Sequence, residues 1–194
     1  GIQILSSMEY LRLSWEDIEK YCIDIAREVV RRKIDFDIIL GLARGGWIPA
    51  RLLSDILDND EVYTIRVKFY EGVGRRMKKP LILHPTQFDV AGKKVLLVDD
   101  IADTGGSLAA SVEHLNRRKV GRISVATLVK KPSSKFIPDI FAVETDAWVV
   151  FPWEVNETIR SIFQQSASEE AAVKEMKKAG LGRAVSGKVF KRGG

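Results

Sequence analysis

Two short stretches of this chain combine residue types that can do chemistry. The first runs Val95-Leu96-Leu97-Val98-Asp99-Asp100-Ile101-Ala102-Asp103-Thr104-Gly105-Gly106-Ser107. An apolar run ends in two adjacent carboxylates, a short turn follows, and Thr-Gly-Gly-Ser opens a helical pattern. Backbone N–H groups at a helix N-terminus lack intrahelical acceptors and favour a phosphate. Glycine lets the backbone approach an anion closely, and Thr104 and Ser107 add hydroxyl donors. Asp103 to Ser107 therefore reads as a phosphate cradle. Asp99 and Asp100 cannot share that task, because carboxylates repel phosphate. They suit sugar hydroxyls, or Mg²⁺ through water. Together the two features suit a ribose 5-phosphate. Neither the Gly-x-x-x-x-Gly-Lys-Ser/Thr spacing of a Walker loop nor a dinucleotide fingerprint is present. Asp-Thr-Gly-Gly-Ser alone would be no more than a tight turn with a helix cap. The apolar run and the double Asp before it weigh for a ligand site.

The second stretch is Gly41-Leu42-Ala43-Arg44-Gly45-Gly46. Glycines and an arginine make a donor-rich anion site, and an arginine fork matches phosphate oxygens. By itself this is a solvated turn. Ahead of an acidic, glycine-bearing loop it gains meaning as a second anion receptor.

The elements that must position these residues follow from periodicity. Residues 14–32 carry apolar positions at three- and four-residue intervals, and Ser14 and Asp17 have the spacing of a capping box with Asp in place of Glu. Phe36 to Leu40 reads as a short strand, and Trp47 to Leu57 as a helix with Pro49 in its first turn. Val62 to Tyr70 is rich in β-branched and aromatic residues and reads as a strand. Residues 71–88, with two glycines, two prolines and the run Arg75-Arg76-Met77-Lys78-Lys79, read as a mobile loop. Lys94 to Val98 is a strand, Asp99 to Gly106 a polar loop and Ser107 to Arg117 a helix. Strands over 123–129, 140–143 and 148–151 complete the sheet. Glu157 to Gln164 and Glu169 to Ala179 are helical, the latter capped by Ser168 and stopped by Gly180. Strands alternating with helices predict an α/β fold with a central, mainly parallel sheet flanked by helices.

Composition narrows the class. The 194 residues are 45% hydrophobic and 29% charged, ordinary for a globular protein of one domain with or without an appendage. The 31 basic and 26 acidic residues leave a net charge of +5, which suits an anionic substrate or a generally basic surface. Cys22 is the single cysteine; no intrachain disulfide is possible, and an intracellular protein is expected. No apolar run approaches the roughly 18–20 residues that span a bilayer, no secretory signal is visible, and a zinc site is not expected.

With both stretches in view, the chain resembles the type I phosphoribosyltransferase family over residues 10–160, and within it the purine branch that uses 6-oxopurines. The strand-Asp-Asp-x-x-Asp-Thr-Gly-Gly-Ser run is similar to that family's motif for 5-phosphoribosyl-1-pyrophosphate (PRPP). The resemblance implies that Asp99 and Asp100 hold the ribose hydroxyls and that Ala102, Asp103, Thr104, Gly105, Gly106 and Ser107 take the 5-phosphate. It places Asp103 near N7 of the base as general acid/base. Helix capping is the plainer role of Asp103, and the two can coexist. Ala43, Arg44 and Gly45 resemble the family's pyrophosphate loop, often held in a non-proline cis peptide, which the resemblance places at Ala43–Arg44. Residues 71–88 match the family's lid in position, with Lys68, Arg75, Arg76 and Lys78 as candidates to touch pyrophosphate. A solvated basic loop is the alternative.

Lys131 before Pro132 resembles the lysine that donates to the exocyclic oxygen of the base, and Trp148 the aromatic residue that stacks on it. Backbone at Val149 and Val150 would read the base edge. Trp148 and Trp153 also suit core packing. Glu154, with Asp99 and Asp100, aligns with acids that hold Mg²⁺. The implied fold is type I phosphoribosyltransferase-like, with a small hood. Residues 1–163 would form the phosphoribosyltransferase domain and residues 164–194 a C-terminal helical extension. The implied reaction is transfer of ribose 5-phosphate from PRPP to hypoxanthine, guanine or xanthine. It would run in a cytoplasmic homodimer engaging neither membrane nor nucleic acid. An adenine-using enzyme on the same framework and a PRPP-sensing regulator with little catalysis remain alternatives. The presence of Asp103, Arg44 and a lid discriminates against the regulator.

Overall fold

Ile38-Ile39-Leu40 and Val95-Leu96-Leu97-Val98 are apolar on both faces, a composition that strands tolerate only when layers cover both sides of the sheet. The computed structural model, which describes residues 8–71, 78–84 and 88–181, places them side by side at the centre of a six-stranded sheet. The chain order is β1 (Tyr10–Arg12), α1 (Trp15–Arg31), β2 (Ile38–Ala43), α2 (Trp47–Ile56), β3 (Val62–Glu71), β4 (Lys78–His84), β5 (Lys94–Ala102), α3 (Gly106–Arg117), β6 (Arg122–Lys130), β7 (Ile140–Glu144), β8 (Trp148–Val150), α4 (Val155–Gln165) and α5 (Glu169–Lys178). The sheet order is β4-β3-β2-β5-β6-β7. All its pairings are parallel except β3 with β4.

The chain divides into two units. One spans Ile18–Asp146 and holds the six-stranded sheet. Leu40, Leu42, Ile65, Leu97, Leu108 and Leu115 are fully or almost fully buried in its core. The other combines residues 1–17 with 147–194. In it β1 and β8 pair in parallel, and Val150, Ile159, Ile162, Ala172 and Leu181 form a second core.

The sheet order turns back on itself at β2. From β2 the chain moves outward to β3, and β5 returns to the other flank of β2. In open α/β sheets such a switch leaves a crevice at the carboxyl ends of the two strands, where ligands bind. β2 and β5 pair from Ile38↔Val95 to Gly41↔Val98, so both strands deliver their following residues to that crevice.

Several boundaries differ from the sequence expectation. β2 and β5 run on through Ala43 and Ala102, where glycine and aspartates suggest loops. Pairing with β6 carries β5 past its acids, with Asp99 opposite Thr127 and Ala102 opposite Lys130. The expected loop over 71–88 contains β4. Its Lys78, Lys79 and Pro80 are loop-like residues, but an edge strand tolerates charge and a missing N–H. Arg75 and Arg76 lie outside the described residues. Residues 148–150 join no large sheet; they pair with β1, which is too short to show a period.

The capping box at α1 is present as expected. Ser14 N–H donates to Asp17 Oδ2 at 2.7 Å and Asp17 N–H donates to Ser14 Oγ at 3.1 Å. Ser168 likewise caps α5 by accepting from Ala171 N–H. Among the described residues no helix is long and apolar enough to cross a membrane. Ser14→Ala should destabilise the protein by about 1 kcal/mol, measured by urea unfolding; a loss under about 0.3 kcal/mol would show that the reciprocal bonds contribute little.

Candidate functional site

The acids of β5 and the turn behind them enclose a cavity of about 280 Å³, lined by Phe69, Asp99, Asp100, Ile101, Asp103, Thr104, Gly105, Gly106, Ser107 and Leu108. Asp99 and Asp100 are buried, and Asp100 N–H donates to Asp99 Oδ1 at 2.9 Å. Asp103 and Thr104 are exposed at the rim. Gly105 precedes the first residue of α3 with φ of 88°, a left-handed conformation that favours glycine. Thr104 Oγ1 accepts from Gly106 N–H at 3.3 Å. Sequence reasoning had placed acids and cradle in one site, and the cavity brings them together.

A third segment supports the turn from behind. Lys135 N–H donates to the Thr104 carbonyl at 3.2 Å, and a Cβ at Gly105 would lie 2.6 Å from Phe136. Lys135 and Phe136 carry no sequence signal for this role, because they reach the turn through tertiary contact. Phe69, Ile101 and Leu108 line the cavity without having been foreseen. Phe69 sits beside Lys68, and neighbouring strand residues face opposite sides. The cavity thus takes the phenyl ring, while Lys68 is exposed on β3 and is not among its lining residues. Ala102 is fully buried within the strand and its carbonyl accepts from Lys131 N–H at 2.9 Å. Its side chain does not line the cavity.

The loop after β2 closes on the same place. The Ala43–Arg44 peptide is cis, where the resemblance placed it. Arg44 is exposed, and Gly45 packs so closely that an added Cβ would lie 2.1 Å from Asp100 Oδ2. The absence of a side chain at Gly45 is thus what allows the arginine-bearing loop to lie against the acid pair. An anion held near Arg44 would therefore sit close to carboxylates, an arrangement that suits a ligand with both phosphate and hydroxyl groups.

At the end of β6 the two adjacent lysines differ. Lys130 is buried, its Nζ donates to Glu144 Oε2 at 2.8 Å and lies 5.6 Å from the Phe141 ring centroid. Lys131 is half-buried. Burial lowers its pKa below the ordinary lysine value, and the charges of Asp103 and Asp146 oppose that shift. Lys131 is thus electrostatically linked to the acid at the rim of the cavity.

The second unit carries the other candidates. Trp148 is half-buried, Val149 and Val150 are buried. The Val150 carbonyl accepts from Leu13 N–H at 3.0 Å and Trp148 N–H donates to the Glu9 carbonyl at 2.8 Å. Any further contact to the Val150 carbonyl would use its second lone pair. Trp153 stacks on Phe151 with centroids 5.0 Å apart, in keeping with core packing. Glu154 stands at the N-cap position of α4. Among the described residues no three His, Cys, Asp or Glu side chains cluster to hold a metal.

Residues 13–159 match the family model described as the phosphoribosyl transferase domain. A xanthine-guanine phosphoribosyltransferase of Cereibacter sphaeroides is 33% identical over 121 residues, covering 60% of this chain and 68% of that protein. The crystal structure of a purine phosphoribosyltransferase from Pyrococcus horikoshii superposes with a TM-score of 0.69 at 36% identity, covering 75% of this chain and 95% of that one. The xanthine-guanine-hypoxanthine phosphoribosyltransferase of Helicobacter pylori superposes with a TM-score of 0.67 at 27% identity, covering 79% and 99%.

Gly45→Ala is expected to weaken binding of ribose 5-phosphate by about tenfold or more, because either the loop or the Asp100 carboxylate must move. Calorimetric titration measures this; unchanged affinity would mean that the Gly45–Asp100 contact does not shape the site.

Proposed function

The chain belongs to the phosphoribosyl transferase domain family, and on that premise we propose that it moves ribose 5-phosphate from PRPP to a 6-oxopurine base, releasing pyrophosphate. The observation that carries this reading is that the acid pair Asp99 and Asp100 and the turn Asp103 to Ser107 line one cavity. The purine-using relatives support the choice of base class.

In this reading the 5-phosphate meets the N-terminus of α3, where Gly106 and Ser107 contribute first-turn N–H groups and Thr104 and Ser107 contribute hydroxyls. Asp99 and Asp100 accept from the ribose hydroxyls. The bond from ribose C1 to the pyrophosphate oxygen breaks as C1 bonds to the purine nitrogen. The positive charge that develops at C1 is compatible with the nearby carboxylates, and Arg44, with Ala43 and Gly45 holding the loop, stabilises the departing pyrophosphate. Lys68, which does not line this cavity, would reach the pyrophosphate only from outside it. The proton displaced from the base passes to the Asp103 carboxylate. Lys131 donates to the exocyclic oxygen, which selects an acceptor over an amino group. Trp148 stacks on the ring, with backbone at Val149 and Val150 at the base edge.

Asp99 and Asp100 fit Mg²⁺, which is commonly held by one or two carboxylates together with substrate phosphates rather than by an all-protein cage. Glu154 is a further candidate ligand. Such an ion supplies charge neutralisation of the pyrophosphate. We also assign residues 1–163 to the phosphoribosyltransferase domain and 164–194 to an extension. The working form is a cytoplasmic homodimer in purine salvage, engaging neither membrane nor nucleic acid.

The test is a base panel. Purified protein with Mg²⁺ and PRPP should form nucleotide with hypoxanthine, guanine or xanthine. Turnover of adenine alone would overturn the base assignment, and PRPP binding without turnover of any base would favour a sensor. Asp103→Asn should lower kcat by about 10²-fold or more while PRPP affinity stays within about twofold. A kcat within about twofold of wild type would remove Asp103 from proton transfer.

A further inference from the structure

Tyr10 and Trp148 are register partners in the parallel β1–β8 pair, so their side chains share one face of the ribbon. Their rings stack with centroids 5.6 Å apart and planes at 28°. Aromatic rings in direct contact sit at about 4.5–7 Å, so no third ring fits between these two. A planar ligand can use only the other face of the indole.

Tyr10 is in turn fixed from α5. Its hydroxyl donates to Glu175 Oε2 at 2.9 Å, and Glu175 is only 8% exposed. Burial of the phenol and the acceptor Glu175 hold the Tyr10 pKa above its ordinary value, so the hydroxyl stays a donor. Lys178, one turn further along α5, places its Nζ 5.9 Å from the Tyr10 ring centroid. Arg12, two residues beyond Tyr10 and on the same face of β1, donates to the Gly180 carbonyl just past the end of α5. Two side chains of a three-residue strand thus hold α5 and the turn that follows it, and one of them backs Trp148. Met176 and Phe163 pack in the same cluster.

We propose that Tyr10 and Glu175 are positioning residues for base binding: the C-terminal helix α5, through the Glu175–Tyr10 hydrogen bond and the Tyr10–Trp148 stack, locks the indole that receives the purine. This rests on the proposed role of Trp148. The lock freezes the indole before the base arrives, so binding does not have to order it. The helix beyond residue 164 then acts on affinity for the base without touching it.

The experiment is steady-state kinetics on the full chain with a 6-oxopurine and PRPP, alongside thermal unfolding. Tyr10→Phe keeps the ring and removes the donor. Glu175→Ala removes the acceptor, and Glu175→Gln keeps an amide oxygen that can accept. Tyr10→Phe and Glu175→Ala should raise KM for the base about three- to tenfold, with KM for PRPP and kcat within about twofold. Glu175→Gln should recover most of the loss, and Tyr10→Phe with Glu175→Ala together should be no worse than the poorer single variant. If Glu175→Ala does not fold, Tyr10→Phe carries the test. An unchanged base KM in Tyr10→Phe, or equal rises for both substrates, would overturn the proposal. Trp148→Ala separates the two readings. A raised base KM there with none in Tyr10→Phe sinks only the positioning role; no effect at Trp148 sinks its base-stacking role and this inference together.

Discussion

The contact that the candidate site depends on is the seam between β2 and β5. The two strands are neighbours only because the sheet reverses its order at β2, and their parallel register brings both C-terminal loops to one crevice. The seam tolerates no side chain at Gly45, whose backbone lies against the Asp100 carboxylate. Everything chemical in the larger unit follows from that juxtaposition. An arginine-bearing loop, an acid pair and a helix N-terminus meet at the ends of two paired strands.

The crevice also divides its electrostatics sharply over a short distance. Buried carboxylates at the end of β5 repel any phosphate placed on them, while the first turn of α3 attracts one. Such a field orients a ligand carrying both hydroxyl and phosphate groups, because the reversed orientation would set phosphate on carboxylate. The paired lysines at the end of β6 show a similar division. Buried Lys130 pairs with the exposed Glu144, whereas Lys131 feels the charge of Asp103.

Much of this was legible in the sequence where the signal was local. The capping box at Ser14 and Asp17, the cap at Ser168, the stop at Gly180 and the turn from Asp103 to Ser107 depend on residues a few positions apart. The strand ends were misread for a physical reason. Asp99, Asp100 and Gly41 look like loop residues, yet pairing with a neighbouring strand carries them in the sheet. β4 was hidden by Lys78, Lys79 and Pro80, which only an edge position accommodates. The cavity wall from Phe69, the support from Lys135 and Phe136, and the Tyr10–Trp148 stack were out of reach, since each joins residues distant in sequence.

The pairing of β1 with β8 has a consequence for biosynthesis. The Tyr10–Glu175 bond closes a loop of 165 residues, and the Arg12–Gly180 bond one of 168. The larger unit needs nothing beyond Asp146 for its own sheet. On a translating ribosome it can therefore mature while Tyr10 and Arg12 wait for partners that have not yet been synthesised. The unit bearing Trp148 cannot complete its core until Leu181 has been made, and a nascent chain stalled before α5 would carry the acid pair and the Asp103–Ser107 turn with an incomplete second core.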